Sequence, residues 1–360
     1  MENNKEQGYI NMIRYLTKTI IVLSLIILGC CLFLIFYIDI QRYIEDAPKR
    51  KAERIAQEEL IERNKLEFSK SKELVTFWKP KDIEDMADTN LKAQINYGKE
   101  LIIHTAKYLG PKGIVSQSTN GMNCQNCHLE AGTKAWGNNY GSVYSTYPKY
   151  RARSGKEEDI FKRINDCLER SLNGKALEVN SREMLAIKAY IEYIGSDVPK
   201  GKEAKASGIY KLEFLARPTN PKNGKLLYAT KCASCHQVNG EGVLADNKIE
   251  YVYPPLWGKN SYNHGAGLYR MSRFAGFIKH NMPQGATYQN PQLTDEEAWD
   301  IAAFVNSQER PKKDLRNDWP TITEKPADHP FGPFADTFST AQHKYGPYKP
   351  ISDFNKQNKK

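Results

Sequence analysis

One five-residue pattern, present twice, constrains this 360-residue chain more than anything else in it: "CQNCH" at Cys124 to His128 and "CASCH" at Cys232 to His236. Two thiols followed directly by an imidazole are the attachment signature of a c-type haem. The thiols take the porphyrin vinyl groups and the histidine becomes the proximal iron ligand. A single copy is compatible with chance or with zinc; two copies in repeated frames behind an export segment are not read that way. Cys124, Cys127, Cys232 and Cys235 are therefore the attachment residues of two covalently bound haem c groups, with His128 and His236 as proximal ligands.

The frames around the motifs repeat as well. "YGKELI" precedes the first and "NGKLLY" the second, each within a helical pattern. Each unit then closes with an amphipathic helix. Ser181 caps "SREMLAIKAYIEYIG", which Gly195 stops, and Thr294 with Glu297 makes a capping box before "EEAWDIAAFVNS". The expected fold is mainly α, with two cytochrome c-like haem domains at 77–200 and 218–310. A linker over 201–217 joins them. A tail over 311–360 is Pro-rich, yet carries Trp319, Phe331, Phe334 and Tyr345, aromatics that a free tail would lack.

Upstream lies "TIIVLSLIILGCCLFLIFYIDI", a run of about 20 apolar residues, long enough to span a bilayer as a helix. "ILGC" resembles a lipoprotein box ending at Cys30, but the apolar run continues past it, which favours an uncleaved anchor. The expected order is a cytoplasmic terminus at 1–18, a transmembrane anchor at 19–40 and a charged helical stalk at 41–76. Basic residues flank the run on both sides, so charge alone does not orient it. The haem motifs do, because haem attachment takes place in the exported compartment. This predicts a single-pass protein of a bacterial inner membrane with its C-terminal domains in the periplasm. The formal net charge is +10. It suits an anionic substrate, an acidic partner or a membrane surface, and no basic cluster sits on a nucleic-acid module, so nucleic acid is excluded as a partner.

The sixth iron ligand carries the functional information. Downstream of His236 the candidates are His264, Met271, His280 and Met282, with Lys279 beside His280. Met282 is favoured because Pro283 holds it in extended backbone, and a methionine ligand raises the haem potential. Between Leu129 and Asn180 there is neither Met nor His. The donors there are Cys167, a lysine such as Lys149 or Lys175, or none, and the missing Met and His favour a Cys167 thiolate.

"RINDCLERSLNG" places that cysteine on a helix. Ser154 and Glu157 form a capping box that starts it, and Ile160, Ile164, Leu168 and Leu172 make its apolar stripe. Arg163, Cys167 and Ser171 recur every four residues and share another face. Arg170, Arg151 and Arg153 lie near. Cations favour a thiolate, and guanidinium groups grip oxyanions with two parallel hydrogen bonds. Thiosulfate and tetrathionate are dianions whose sulfane sulfur exchanges with a cysteine sulfur, and would use all these parts.

"NCQNCH", "YPKYRARSG", "RINDCLERSLNGKAL", "FIKHNMPQG" and the tail "HPFGPFADTFSTAQHKYGPY" resemble the dihaem thiosulfate dehydrogenases, which also act as tetrathionate reductases. The likeness runs from about Phe77 to Ile351 and leaves out the anchor and stalk. It implies a catalytic first haem ligated by His128 and Cys167, with Arg153, Arg163 and Ser171 at the substrate-pocket positions. It implies a second, electron-transferring haem ligated by His236 and Met282. Some relatives use a lysine beside that methionine, where this chain has Asn281. The implied reaction is reversible coupling of two thiosulfates to tetrathionate, with a donor or acceptor cytochrome c or a membrane respiratory component as redox partner. A pure electron carrier would need no arginines beside its first haem; another sulfur-oxidising cytochrome is the nearest enzymatic rival.

Overall fold

In a computed structural model, the described residues run continuously from 77 to 358, with scattered positions between 12 and 59. The chain divides into two units, Met1–Glu73 and Leu74–Lys360. In the first, the described positions are helical and exposed. Among the described residues no helix is long and apolar enough to cross a membrane. Part of the segment expected to be an anchor, and most of the expected stalk, lies outside the described residues.

The second unit is mainly helical. Its first half is built on α1 (Thr89–Ile103), α2 (Ile160–Arg170) and α3 (Arg182–Ile194). Its second half is built on α4 (Pro221–Lys231), α5 (Met271–Asn281) and α6 (Asp295–Ser307). The starts follow local chemistry. Asp88 caps α1 by accepting from the Asn90 and Leu91 amides, at 3.0 Å each. Asn220 caps α4 with Pro221 in the first turn, where a missing N–H costs nothing. Thr294 and Glu297 close a capping box on α6 at 3.1 and 2.9 Å.

The repeated "GK" segments have a packing reason. α1 crosses α3 and α4 crosses α6 so closely that side chains would not fit. A Cβ on Gly98 would stand 2.0 Å from the Ala186 carbonyl oxygen, and one on Gly224 would stand 1.9 Å from that of Asp300. Glycine inside a helix costs about 1 kcal/mol against alanine, so it persists here because two backbones touch. Leu101, Ile102, Met184 and Ile187 fill the first core, and Tyr228, Trp299 and Ala302 the second, all at most 2% exposed.

One expected helix start is wrong. Lys156–Glu158 is not the first turn of α2 but a strand, β3, paired antiparallel with β2 (Lys149–Arg151). Gly155 turns the hairpin at φ +65°, and Ser154 spends its hydroxyl on the Arg151 carbonyl at 3.3 Å. The cap is Asp159, which accepts from the Lys162 amide at 2.8 Å. It lies next to the apolar stripe, so hairpin and helix are both satisfied. The stripe itself is buried: Ile160, Ile164, Leu168 and Leu172 are all at most 8% exposed.

The stretch between the halves is bound to both. Gly208–Ile209 (β4) pairs with Gly137–Asn139 (β1) of the first half. Tyr210 backs onto Gly276 of α5, where a Cβ would meet its carbonyl oxygen at 2.1 Å. The Trp299 indole donates to the Glu213 carbonyl at 3.1 Å. The tail is equally engaged. The Trp319 amide donates to the Arg153 carbonyl at 2.7 Å, and the Thr219 amide to that of Tyr345 at 2.7 Å, so the last fifty residues touch both halves.

Candidate functional site

Each CxxCH motif folds into one tight turn. The Cys127 and His128 amides donate to the Cys124 carbonyl at 3.1 and 2.9 Å, and the Cys235 and His236 amides to the Cys232 carbonyl at 3.2 and 3.0 Å. Asn123 fixes the first turn from below, accepting from the Ala106 amide at 2.8 Å, while the Thr105 hydroxyl accepts from the Cys124 amide at 2.9 Å.

The two imidazoles are held alike. His128 Nδ1 lies 2.5 Å from the Asn138 carbonyl and His236 Nδ1 lies 2.9 Å from that of Pro254. A carbonyl can only accept, so Nδ1 carries the proton and Nε2 keeps a lone pair, as an iron ligand requires. Burial lowers both histidines, His128 to about 4, so both are neutral. Neither orienting carbonyl has a sequence signature: one lies ten residues past its histidine and the other eighteen.

A cavity of about 580 Å³ opens beside His236. Cys232, Cys235, His236 and Met282 all lie on its wall, with apolar residues such as Ile278 and Ile301 around them, and Met122 and Cys127 of the first half close its other side. Two thiols, a neutral imidazole with a free Nε2, a thioether and an apolar lining fit a haem c. The other sixth-ligand candidates do not line this cavity. His264 accepts from the Lys313 amide at 3.0 Å, and Met271 is buried beside Asn306. Lys279 donates to the Leu293 carbonyl at 2.6 Å and pairs with Asp295 at 2.8 Å. His280 sits among Tyr210 and Tyr288 with ring centroids 4.6 and 4.9 Å away.

In the first half, α2 turns the Cys167 sulfur toward the motif. Burial raises Cys124 and Cys127 to about 12, and the charge of Cys167 adds to both. Arg163, one turn earlier, is held above the usual arginine range, first by that same sulfur. Ser171 follows one turn later as the C-cap of α2, with its amide on the Cys167 carbonyl at 2.8 Å. Cys167 thus lies near Cys124 and Cys127, and Arg163 near His128, with Ser171 ending the same helix. Lys175 is exposed and Lys149 lies on β2.

Arg153 and Arg170 are otherwise occupied. Arg170 holds Asp318 in a forked pair at 2.7 and 2.8 Å. Arg153 donates to the Gly265 carbonyl, stands 3.5 Å from Asp318 and packs 4.7 Å above the Trp319 ring. Burial first and Arg170 second lower Arg153 to about 10. Sequence reasoning missed this tail clamp, because Asp318 lies about 150 residues from its arginine partners.

Residues 115–199 match the SoxA/TsdA cytochrome c domain, and residues 221–309 match cytochrome c. The chain is 40% identical over 240 residues to a thiosulfate dehydrogenase of Psychrobacter arcticus, covering 66% of this chain and 70% of that protein. It is 40% identical over 218 residues to one of Allochromatium vinosum, covering 59% and 79%. Among solved structures, the thiosulfate dehydrogenase TsdBA of Marichromatium purpuratum in its as-isolated form is similar at a TM-score of 0.60 and 32% identity. That match covers 66% of this chain and spans half of the other, 50%. With both haem motifs folded alike and these relatives matched across both halves, the chain belongs to the thiosulfate dehydrogenase family of dihaem c-type cytochromes.

Proposed function

We propose that the protein interconverts two thiosulfates and one tetrathionate, exchanging two electrons, at the face of α2 that carries Cys167. The observation that supports this most is the nearness of the Cys167 sulfur both to Arg163 and to the first CxxCH turn, within the segment that matches the SoxA/TsdA domain. His128 and Cys167 would ligate the first haem, and His236 and Met282 the second; both groups would be attached through their cysteine pairs. The haems, when bound, supply iron centres that take up or return one electron each.

The chain's own residues do the rest. Asn138 and Pro254 orient the two imidazoles. Cys167 is the nucleophile: its thiolate joins the sulfane sulfur of one thiosulfate, giving a cysteine S-thiosulfonate as two electrons leave. A second thiosulfate attacks the sulfane sulfur of that adduct. Tetrathionate departs and the Cys167 thiolate is restored, so atoms and charge balance over the two steps. Arg163 and Ser171 hold sulfonate oxygens during both. Run backwards, the same steps reduce tetrathionate. Arg153, expected as another substrate contact, would instead brace the pocket wall through Asp318. The segment at 19–40 would anchor the protein to a bacterial inner membrane with the haem domains in the periplasm. There a cytochrome c or a membrane respiratory component would exchange the electrons.

The test uses the detergent-solubilised full chain with both haems loaded. Thiosulfate should reduce ferricyanide, and reduced methyl viologen should be oxidised by tetrathionate. Cys167→Gly should abolish both reactions while leaving the spectrum of the second haem intact. Silence of the loaded wild type in both directions refutes the proposal.

A further inference from the structure

The arginines near Cys167 fall into two groups. Arg153, Arg170 and Arg270 are paired with carboxylates: the first two with Asp318, and Arg270 with Asp328 at 2.6 Å. Arg151, Arg163 and Arg273 are not: among the described residues their side chains make no hydrogen bond or ion pair. Arg273 belongs to the other half of the molecule, on the first turn of α5, one turn along from Arg270.

A packed path fixes that turn against the first half. Arg270 holds Asp328, the next residue, His329, stacks edge-on to Trp319 at 4.6 Å, and the Trp319 amide is bonded to the Arg153 carbonyl at 2.7 Å. Arg153 lies two residues beyond Arg151 on the hairpin that leads into α2. Arg273 therefore looks across the boundary toward β2 and α2. Its side chain is exposed to solvent. Burial, then Arg270, then Arg151 and Arg163 all pull it below the usual arginine range, with only Asp328 opposing. Lys149, two residues before Arg151 and on the same face of β2, is lowered too, by burial first and then by Arg151, Arg163 and Arg273 among its neighbours. The carboxylates nearby are Asp166 and Glu158, felt by Arg163, and Glu203, felt by Lys149; Asp166 is paired with Lys162 and Arg170, and none of the three is bonded to Arg151, Arg163 or Arg273. The Tyr147 hydroxyl, on a residue 6% exposed, lies near Arg163 and has no hydrogen-bond partner among the described residues.

Like charges gathered close together repel one another, and a buried hydroxyl without a partner is costly. Both are relieved by an anion that accepts hydrogen bonds. We propose that Arg273, supplied by the second haem domain, completes with Arg151 and Arg163 a site for the sulfonate groups of the substrate beside Cys167. Tetrathionate carries a sulfonate at each end, so its recognition needs two cationic centres. Arg163 is the one next to the sulfur, and Arg151 with Arg273 is the one across the domain boundary. This assignment rests on the activity proposed above.

The experiment compares wild type, Arg273→Gln and Arg273→Lys, all as full-length protein with both haems loaded. Losing one charge-assisted, forked contact should raise KM for thiosulfate and tetrathionate about 10- to 100-fold, with kcat within about two-fold. Arg273→Lys should fall between, since it keeps the charge but loses the fork. A second readout needs no turnover: millimolar tetrathionate should raise the melting temperature of the wild type, and the rise should shrink in Arg273→Gln. An unchanged KM with an unchanged thermal rise overturns the assignment, as does a fall in kcat alone. Should Arg273→Gln not fold, the lysine variant decides by the same criteria. Wild-type protein that is stabilised by tetrathionate through Arg273 but turns over neither substrate refutes the proposed activity and leaves the binding site standing.

Discussion

Replacing Gly98 with alanine sets two effects of opposite sign against each other. Helix propensity alone favours alanine at a mid-helix position by about 1 kcal/mol. Against this, the new methyl carbon would lie 2.0 Å from the Ala186 carbonyl oxygen, 2.6 Å from its carbon and 2.9 Å from Tyr190 Cβ. Two of these are backbone atoms, which cannot rotate away. An ordinary contact starts near 3.4 Å, so α1 and α3 must part by roughly 1.4 Å, loosening the layer of Leu101, Ile102, Met184 and Ile187 between them. Overpacking of this kind costs about 3 kcal/mol, leaving a net loss of about 2 kcal/mol after the propensity gain. For a chain of this size that is a fall of about 3 °C in melting temperature. The measurement is thermal unfolding of the haem-loaded protein by circular dichroism, with Gly267→Ala as control, because nothing lies within 4 Å of a Cβ there. A Gly98→Ala protein as stable as wild type, or more stable, would mean that the close crossing is not what keeps glycine in the repeat.

Gly224→Ala should behave in the same way in the second half, where the approach to Asp300 is 1.9 Å, and differential scanning calorimetry would show the loss. Met282→Ala removes the thioether that the second half supplies to the cavity wall and should lower the potential of the second haem in a redox titration, while His280→Ala should not. Asp318→Ala leaves two partly buried guanidinium groups without their carboxylate and should cost about 3 kcal/mol in urea unfolding. For Asp328, burial alone would push the carboxyl up, but Arg270 and Ser272 hold it down at about 2. A lowered native value stabilises the fold above the unfolded value near 4, so about 2 kcal/mol should be lost as pH falls from 4 to 2. Asp328→Asn should flatten that part of the urea-unfolding profile.

The haem frames were legible in the sequence because their chemistry is local. Two thiols, an imidazole and a capped closing helix lie within a short stretch, and periodicity marks which faces are buried. α2 was half legible. Its apolar stripe and the face of Arg163, Cys167 and Ser171 follow from spacing, but its start does not, since Ser154 could cap a helix or close a hairpin and only the pairing of β2 with β3 decides. The division of the arginines into braced and free was not legible at all. It depends on Asp318 and Asp328, which come from a tail that spacing cannot connect to β2 or α5. The same holds for the supposed linker, whose backbone pairs with β1 through a register that no local pattern announces.

The tail follows both cysteine pairs in the chain, and Trp319, Asp318 and Asp328 hold the hairpin, α2 and α5 together. The two halves also meet without it, through the pairing of β4 with β1, the Asn263 amide on the Arg170 carbonyl at 3.1 Å, the Asn120 side chain on the Ser261 carbonyl at 3.1 Å and His104 beside Glu250 at 2.9 Å. A chain cut short before Asp318 would therefore carry both attachment motifs without the clamp that fixes Arg153, Arg170 and Arg270 in place.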